Sequence, residues 1–265
     1  LLALADDRAR ATGVRKSALF WAGQVDESDV TAAVTRIADD ESEDRALREQ
    51  AVFVLSQLPN GEGVTALTTI ARSKSAPWLA EKATFWLGQS DDPRASAVLR
   101  DLVTGADVDE GVKGQAVFVL GQHDSPDDQA FLRRHFDALG SDRQQDRVQM
   151  GVAQHGGADA ADWLFGIARD STRAMHVRKQ ALFWAGQGAT PTTALVSAYR
   201  SMPDRELREQ LIFVLSQRDD STATDALFDV ARSDPDHDMR KRAMFWLGQK
   251  HDPRVARFLA DILEH

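Results

Sequence analysis

A five-residue phrase, Phe-(Trp/Val)-(Leu/Ala)-(Gly/Ser)-Gln, recurs seven times along the chain. Its glutamines are Gln24, Gln57, Gln89, Gln122, Gln187, Gln217 and Gln249, and Gln154 closes a worn eighth copy. Successive spacings are 33, 32, 33, 32, 33, 30 and 32 residues. A fixed period of this size is the signature of a solenoid, in which each unit buries its apolar face only against its neighbours. The period constrains the surface as much as the core, because both repeat with it.

Aligned on the glutamines, the copies fill almost all of the 265 residues, which predicts a single elongated domain over residues 1–262 without a linker. Apolar residues make up 43% of the chain, ample for a continuous core. No apolar run reaches the roughly 18 residues that a membrane span needs. The 41 acidic and 32 basic residues leave a net charge of -9. Nucleic-acid binding leaves a basic footprint, so no nucleic-acid partner is expected. The absence of cysteine removes disulfides, thiolate catalysis and cysteine-ligated zinc together.

Leu1-Leu2-Ala3-Leu4 lacks the basic flank and cleavage site of a signal peptide and reads as the tail of a truncated helix. The expected protein is soluble, and cytoplasmic or, with a signal peptide ahead of Leu1, periplasmic. Leu263-Glu264-His265 reads as a tag remnant and is set aside.

Within one copy, VRKQALFWAGQ from Val177 to Gln187 has the periodicity of an amphipathic helix. At 100° per residue, Val177, Ala181, Trp184 and Ala185 gather on one face, which predicts that the Trp or Val after each Phe points into the core. A small residue recurs in the middle of that face (Ala18, Ala51, Ala83, Ala116, Ala181, Ala243), allowing a neighbouring helix close approach. Each glutamine is followed by a turn and another helix. Asp92-Pro93, Ser125-Pro126, Thr190-Pro191 and Asp252-Pro253 each read as an N-cap followed by proline at the first helical position. Each copy is therefore a helical hairpin.

The stretches VRKSALFWAG from Val14, LREQAVFVLS from Leu47, VRKQALFWAG from Val177, LREQLIFVLS from Leu207 and MRKRAMFWLG from Met239 resemble short HEAT repeats of the bacterial, PBS-lyase type. The resemblance implies an all-α fold, a right-handed α-α superhelix of about eight hairpins ending near the eight glutamines. It also implies that the helix carrying the phrase lines the concave side. Arg15, Arg48, Arg178, Arg208 and Arg240 would pair with turn aspartates, with gaps at Ala80 and Gln145.

A second layer of repetition overlies the first. The residue after Phe alternates as Trp21, Val54, Trp86, Val119, then Gly151, then Trp184, Val214, Trp246. Copies one to three also match copies six to eight, as in FWLGQSDDPR and FWLGQKHDPR, which indicates duplication of a multi-repeat block. Shared ancestry alone, or two related binding segments, would account for it. Copy five departs: Gln144, Gln149, Met150 and Gly151 stand where Val, Leu, Phe and Trp stand elsewhere, and both a lost ring and a helical glycine loosen packing. Drift under weak constraint and a hinge between the halves both fit that departure.

On the Val177 helix the buried set centres near roughly 40° and Phe183 falls near roughly 240°, almost opposite. The residues so placed are Phe20, Phe53, Phe85, Phe118, Met150, Phe183, Phe213 and Phe245, with Gln24, Gln57, Gln89, Gln122, Gln154, Gln187, Gln217 and Gln249 one turn further on. With helices about 8–10 Å apart they would form a ladder. The rings either lean into the crevices between helices as core, or stay partly exposed as an apolar track for a protein or peptide on the concave face.

No metalloprotease, nucleophile-elbow, phosphate-loop or dinucleotide motif occurs. Asp234-Pro235-Asp236-His237-Asp238 opens like a calcium loop but has Met239 where glycine is needed. His123 and His155 lie one repeat apart, too far to share a zinc ion. The sequence reading is a non-enzymatic protein- or peptide-binding scaffold with no cofactor, no metal and no catalytic residue. An enzyme or enzyme subunit of lyase or glycosylase type on the same scaffold, or a structural module of a longer protein, are the alternatives.

Overall fold

The computed structural model describes residues 1–25 and 29–263. The Glu264-His265 end of the presumed tag remnant lies outside the described residues. The described residues form helices and turns, without a strand among them. They divide into two compact units, with the boundary between Leu139 and Gly140.

The first unit contains α1 (Leu2–Asp6), α2 (Thr12–Ala22), α3 (Val30–Asp39), α4 (Arg45–Gln57), α5 (Val64–Ala71), α6 (Pro77–Gly88), α7 (Pro93–Thr104), α8 (Glu110–Gln122) and α9 (Pro126–His135). Consecutive helices pair as hairpins, and the even-numbered helices, which carry the phrase, pack directly on one another. The odd-numbered helices touch more lightly and form the other layer. The second unit contains α10 (Asp142–His155), α11 (Ala160–Arg169), α12 (Met175–Gln187), α13 (Thr192–Ser201), α14 (Arg205–Ser216), α15 (Ser221–Ser233), α16 (His237–Gly248) and α17 (Pro253–Leu263). It repeats the pattern, with α10, α12, α14 and α16 stacked in sequence. The fold is an all-α solenoid of HEAT type, and the unit boundary falls within copy five.

The helix starts follow from capping. Asp92 accepts from the Arg94 amide and Ser125 from the Asp128 amide, each with proline at the first helical position. Asp252 likewise accepts from the Arg254 amide. Thr190-Pro191 does not follow suit: Pro191 is itself the N-cap of α13, and no side chain caps it. The six alanines in the middle of the phrase helices are all buried, so adjacent helices close up on them.

The resemblance-derived arginine ladder is present in part. Nε of Arg15, Arg48 and Arg178 donates to the carbonyls of Ala5, Ala38 and Ala168, each at 2.8 Å. These carbonyls sit in the last turns of α1, α3 and α11, where the helix leaves them without partners. The same guanidinium reaches forward to the next hairpin: Arg15 to Glu43 through two bonds of 2.8 and 2.7 Å, and Arg178 to Asp204 at 2.6 Å. Arg48 instead lies over the ring of Trp78 at 5.5 Å. Arg208 approaches Asp234 and Asp236 at 3.6 and 3.7 Å, while Arg240 donates back to the Asp234 carbonyl. The hydrogen bonds from Arg15 hold the Glu43 carboxyl below the usual carboxylate range.

Candidate functional site

The buried face of α12 comprises Val177, Arg178, Ala181, Leu182, Ala185 and Gly186. Its centre lies near roughly 90° on the helical wheel, about 50° round from where the Val177–Trp184 set puts it. That rotation corrects the expectation for tryptophan. Val54, Val119 and Val214 are buried, but Trp21 is 58% exposed and Trp86, Trp184 and Trp246 are only half-buried.

Close approach explains the alternation. A Cβ on Gly23 would lie 2.5 Å from Val54 Cγ1, and one on Gly88 would lie 2.5 Å from Val119 Cβ. Gly186 faces Val214 in the same way. The glycine of a Trp copy is thus the seat for the valine of the next copy. In the reverse step a ring meets a ring: Phe53 packs on Trp86 at 5.1 Å, and Phe213 on Trp246 at 5.4 Å. The tryptophans therefore belong to the surface ladder. Sequence angles anchored on Val177 alone missed this, although the indole N–H, which needs a partner when buried, was a usable signal. Trp184 finds one by donating to Asp146 Oδ1 at 2.6 Å.

In the first unit the rings run Trp21, Phe20, Phe53, Trp86, Phe85, with Phe20 and Phe53 stacked 6° from parallel at 6.4 Å. Phe20, Trp21 and Phe53 line an open depression of about 510 Å³ together with Lys16, Ser17 and Gln50. In the second unit Phe183 meets Trp184, and Phe213, Trp246 and Phe245 form one cluster. Phe20, Phe53, Phe85, Phe118, Met150, Phe183 and Phe213 are half-buried, and Phe245 is 60% exposed. Gln24, Gln57, Gln89, Gln122, Gln154, Gln187, Gln217 and Gln249 are all exposed. Among the described residues their side-chain bonds are local: Gln57 and Gln217 donate to Ser56 and Ser216 at 3.1 Å. The amides leave the helix ends untied and face solvent.

Groups with displaced pKa values are scattered over different hairpins. Asp92 and Asp252 are held at about 2 by hydrogen bonds from Arg94 and Arg254, as helix caps. Burial, and then the bond it donates to Asp234 at 2.6 Å, push the Tyr199 hydroxyl up. His123 binds Asp128 Oδ2 at 2.9 Å and the Gly88 carbonyl at 3.0 Å, while Arg100 donates to Asp128 Oδ1 at 2.8 Å. Among the described residues no cluster of three or more His, Asp or Glu is placed to hold a metal ion. No described helix is long and apolar enough to cross a membrane.

Residues 192–265 match the family model for HEAT repeats. No curated protein matches the chain in sequence. Among solved structures, human deoxyhypusine hydroxylase in complex with glycerol is similar, with a TM-score of 0.41 and 19% identity over 87% of this chain and 88% of that one. The complex of CpcE and CpcF of phycocyanin lyase from Nostoc sp. is similar too, with a TM-score of 0.41 and 18% identity over 85% and 90%. Both names are those of enzymes, which corrects the expectation of a non-enzymatic chain: the fold is no argument against catalysis. At such identities the likeness is one of fold and assigns this chain no reaction. The matched segment carries the same phrase that recurs through the remainder of the chain, so the HEAT likeness and the repeated sequence point to one fold class.

Proposed function

We propose that the chain binds a protein or peptide segment along the Phe/Trp/Gln face of its phrase helices, each unit offering its own stretch. The observation that carries this reading is the joint exposure of eight glutamine amides beside a row of half-buried rings on one helical layer. Partly exposed aromatics rimmed by polar groups supply desolvation energy, and amides satisfy the backbone of an extended chain. Helices about 8–10 Å apart match roughly three residues of extended chain at about 3.3 Å each. One glutamine would thus meet every third peptide unit. The charge of -9 and the mixed neighbours Lys16, Glu49, Glu81 and Lys179 favour a peptide with basic residues over a polyanion.

The test selects peptides from a displayed library against the whole chain and measures the best binder by calorimetry. Replacing Phe85, Phe118 and Phe183 together by alanine should weaken binding at least tenfold, with the helical circular dichroism retained. Loss of the fold would mark the rings as core, and unchanged affinity would place the binder elsewhere; either outcome ends the reading.

A further inference from the structure

Between α10 and α12 lies a cavity of about 320 Å³ that belongs to the departure in copy five. Its acceptors come from Asp142, Gln145, Asp146, Gln149 and Gln180. Gln149 is the decisive member. It occupies the position held by Leu182 one copy later, and it is only 1% exposed. Its Nε2 donates to the Val177 carbonyl at 3.3 Å, which fixes the orientation of the amide, because the flipped amide would set oxygen against oxygen. Its Oε1 is buried and accepts nothing. A polar atom at this depth bears the whole desolvation penalty without return unless a donor reaches it.

The rest of the lining shows what kind of donor fits. Asp146 receives the Trp184 indole N–H on Oδ1, and a carboxylate has room for further donors. His176 already engages Asp142 at 2.9 Å, and Arg143, the remaining cation of the lining, is exposed. An anion would face two carboxylates and the Gln149 oxygen, whereas a cation carrying several N–H groups would satisfy them.

We propose that this cavity binds a protonated primary amine, with Gln149 Oε1 and the Asp146 carboxylate as its acceptors. The site touches the aromatic ladder through the Trp184 indole, but the proposal does not rest on peptide binding there. The amine can be a free small molecule or the end of a lysine side chain, and the shared chemistry is the ammonium head on an alkyl stem.

The experiment follows the Trp184 indole N–H resonance of the full chain during titration with n-butylammonium, Nα-acetyl-lysine amide and n-butanol. Saturable shifts with the two amines and none with the alcohol are expected. A lysine amide that binds at least as tightly as the free amine identifies a partner side chain; the reverse order identifies a small molecule. Gln149→Leu installs the residue that copies one and six carry there as Leu19 and Leu182, so it should raise Tm while weakening amine binding at least tenfold, and Asp146→Asn should weaken it as well. Absence of a saturable shift in the parent chain, equal response to n-butanol, or undiminished binding in Gln149→Leu would overturn the proposal.

Discussion

Both ring nitrogens of His123 face acceptors, a carboxylate on one side and the Gly88 carbonyl on the other. Only the doubly protonated ring can donate to both. The bond to Asp128, opposed by burial, raises the His123 pKa. At Asp128 burial pulls upward, but the bonds from His123 and Arg100 outweigh it and the carboxyl is lowered. The signs of the two contributions differ. For histidine the native value lies above the unfolded one, so its stabilisation is complete below about pH 6.5 and is lost as pH rises through the native value. For the aspartate it is complete above about pH 4 and is lost as pH falls through its depressed native value. Tm should therefore decline on the alkaline side of about pH 6.5, and His123→Gln should flatten that decline in thermal melts run across the range. A slope that survives the substitution would assign it to other groups. Nothing in the sequence singled out this pair, because Asp128 reads there as one more first-turn acid of α9. The arginines were legible: a recurring V-R or L-R at one helical position marks a repeated bond, although which acid answers each one depends on the loop of the following hairpin.

At the scale of the element, a phrase helix presents two different edges to its neighbours. A Trp helix offers the next one a glycine seat for its valine, and a Val helix offers the next one a phenylalanine platform for its tryptophan. Gly88 and Gly248 close α6 and α16 at equivalent places, but a Cβ on Gly88 would strike Val119 whereas Gly248 has nothing within 4 Å. Gly88→Ala should cost about 1–3 kcal/mol through overpacking, while Gly248→Ala should be neutral or stabilise by up to about 1 kcal/mol through helix propensity. Chemical denaturation of the two variants measures the difference, and equal effects would refute the seat. The helices themselves, their caps at Asp92, Ser125 and Asp252, and the exposure of all eight glutamines follow from periodicity and residue type. The place of tryptophan did not follow, because an apolar ring at the margin of a face counts toward the core on a helical wheel. Whether it turns inward depends on the room left by the next helix, and Val54, Val119 and Val214 take that room only in alternate copies.

For the whole molecule, the 30–33-residue period is enough to dictate the fold class, and the matched HEAT segment agrees with it. The candidate site was less legible. The Phe/Gln ladder came from angles along one helix, while the amine cavity depends on two helices meeting across a worn copy, where the sequence displays only the loss of Leu and Trp. The seat and the platform carry one further consequence, for how such a chain can grow or shrink. Contacts of two kinds alternate up the stack, so the array has parity: its true unit is a pair of hairpins, about 65 residues by the observed spacings. Copy five, with Gly151 in place of either partner, is a single odd member between a Val copy and a Trp copy. Without it the alternation would be unbroken. Excising residues 25–89, two copies, would bring Val119 onto the Gly23 seat and should leave a chain that unfolds cooperatively. Excising residues 25–57, one copy, would set Trp86 against a seat cut for valine and should broaden or abolish the transition in a calorimetric scan. Insertions and losses in this protein are thus read in twos, like a frame, and the fifth hairpin is the place where the count slipped by one.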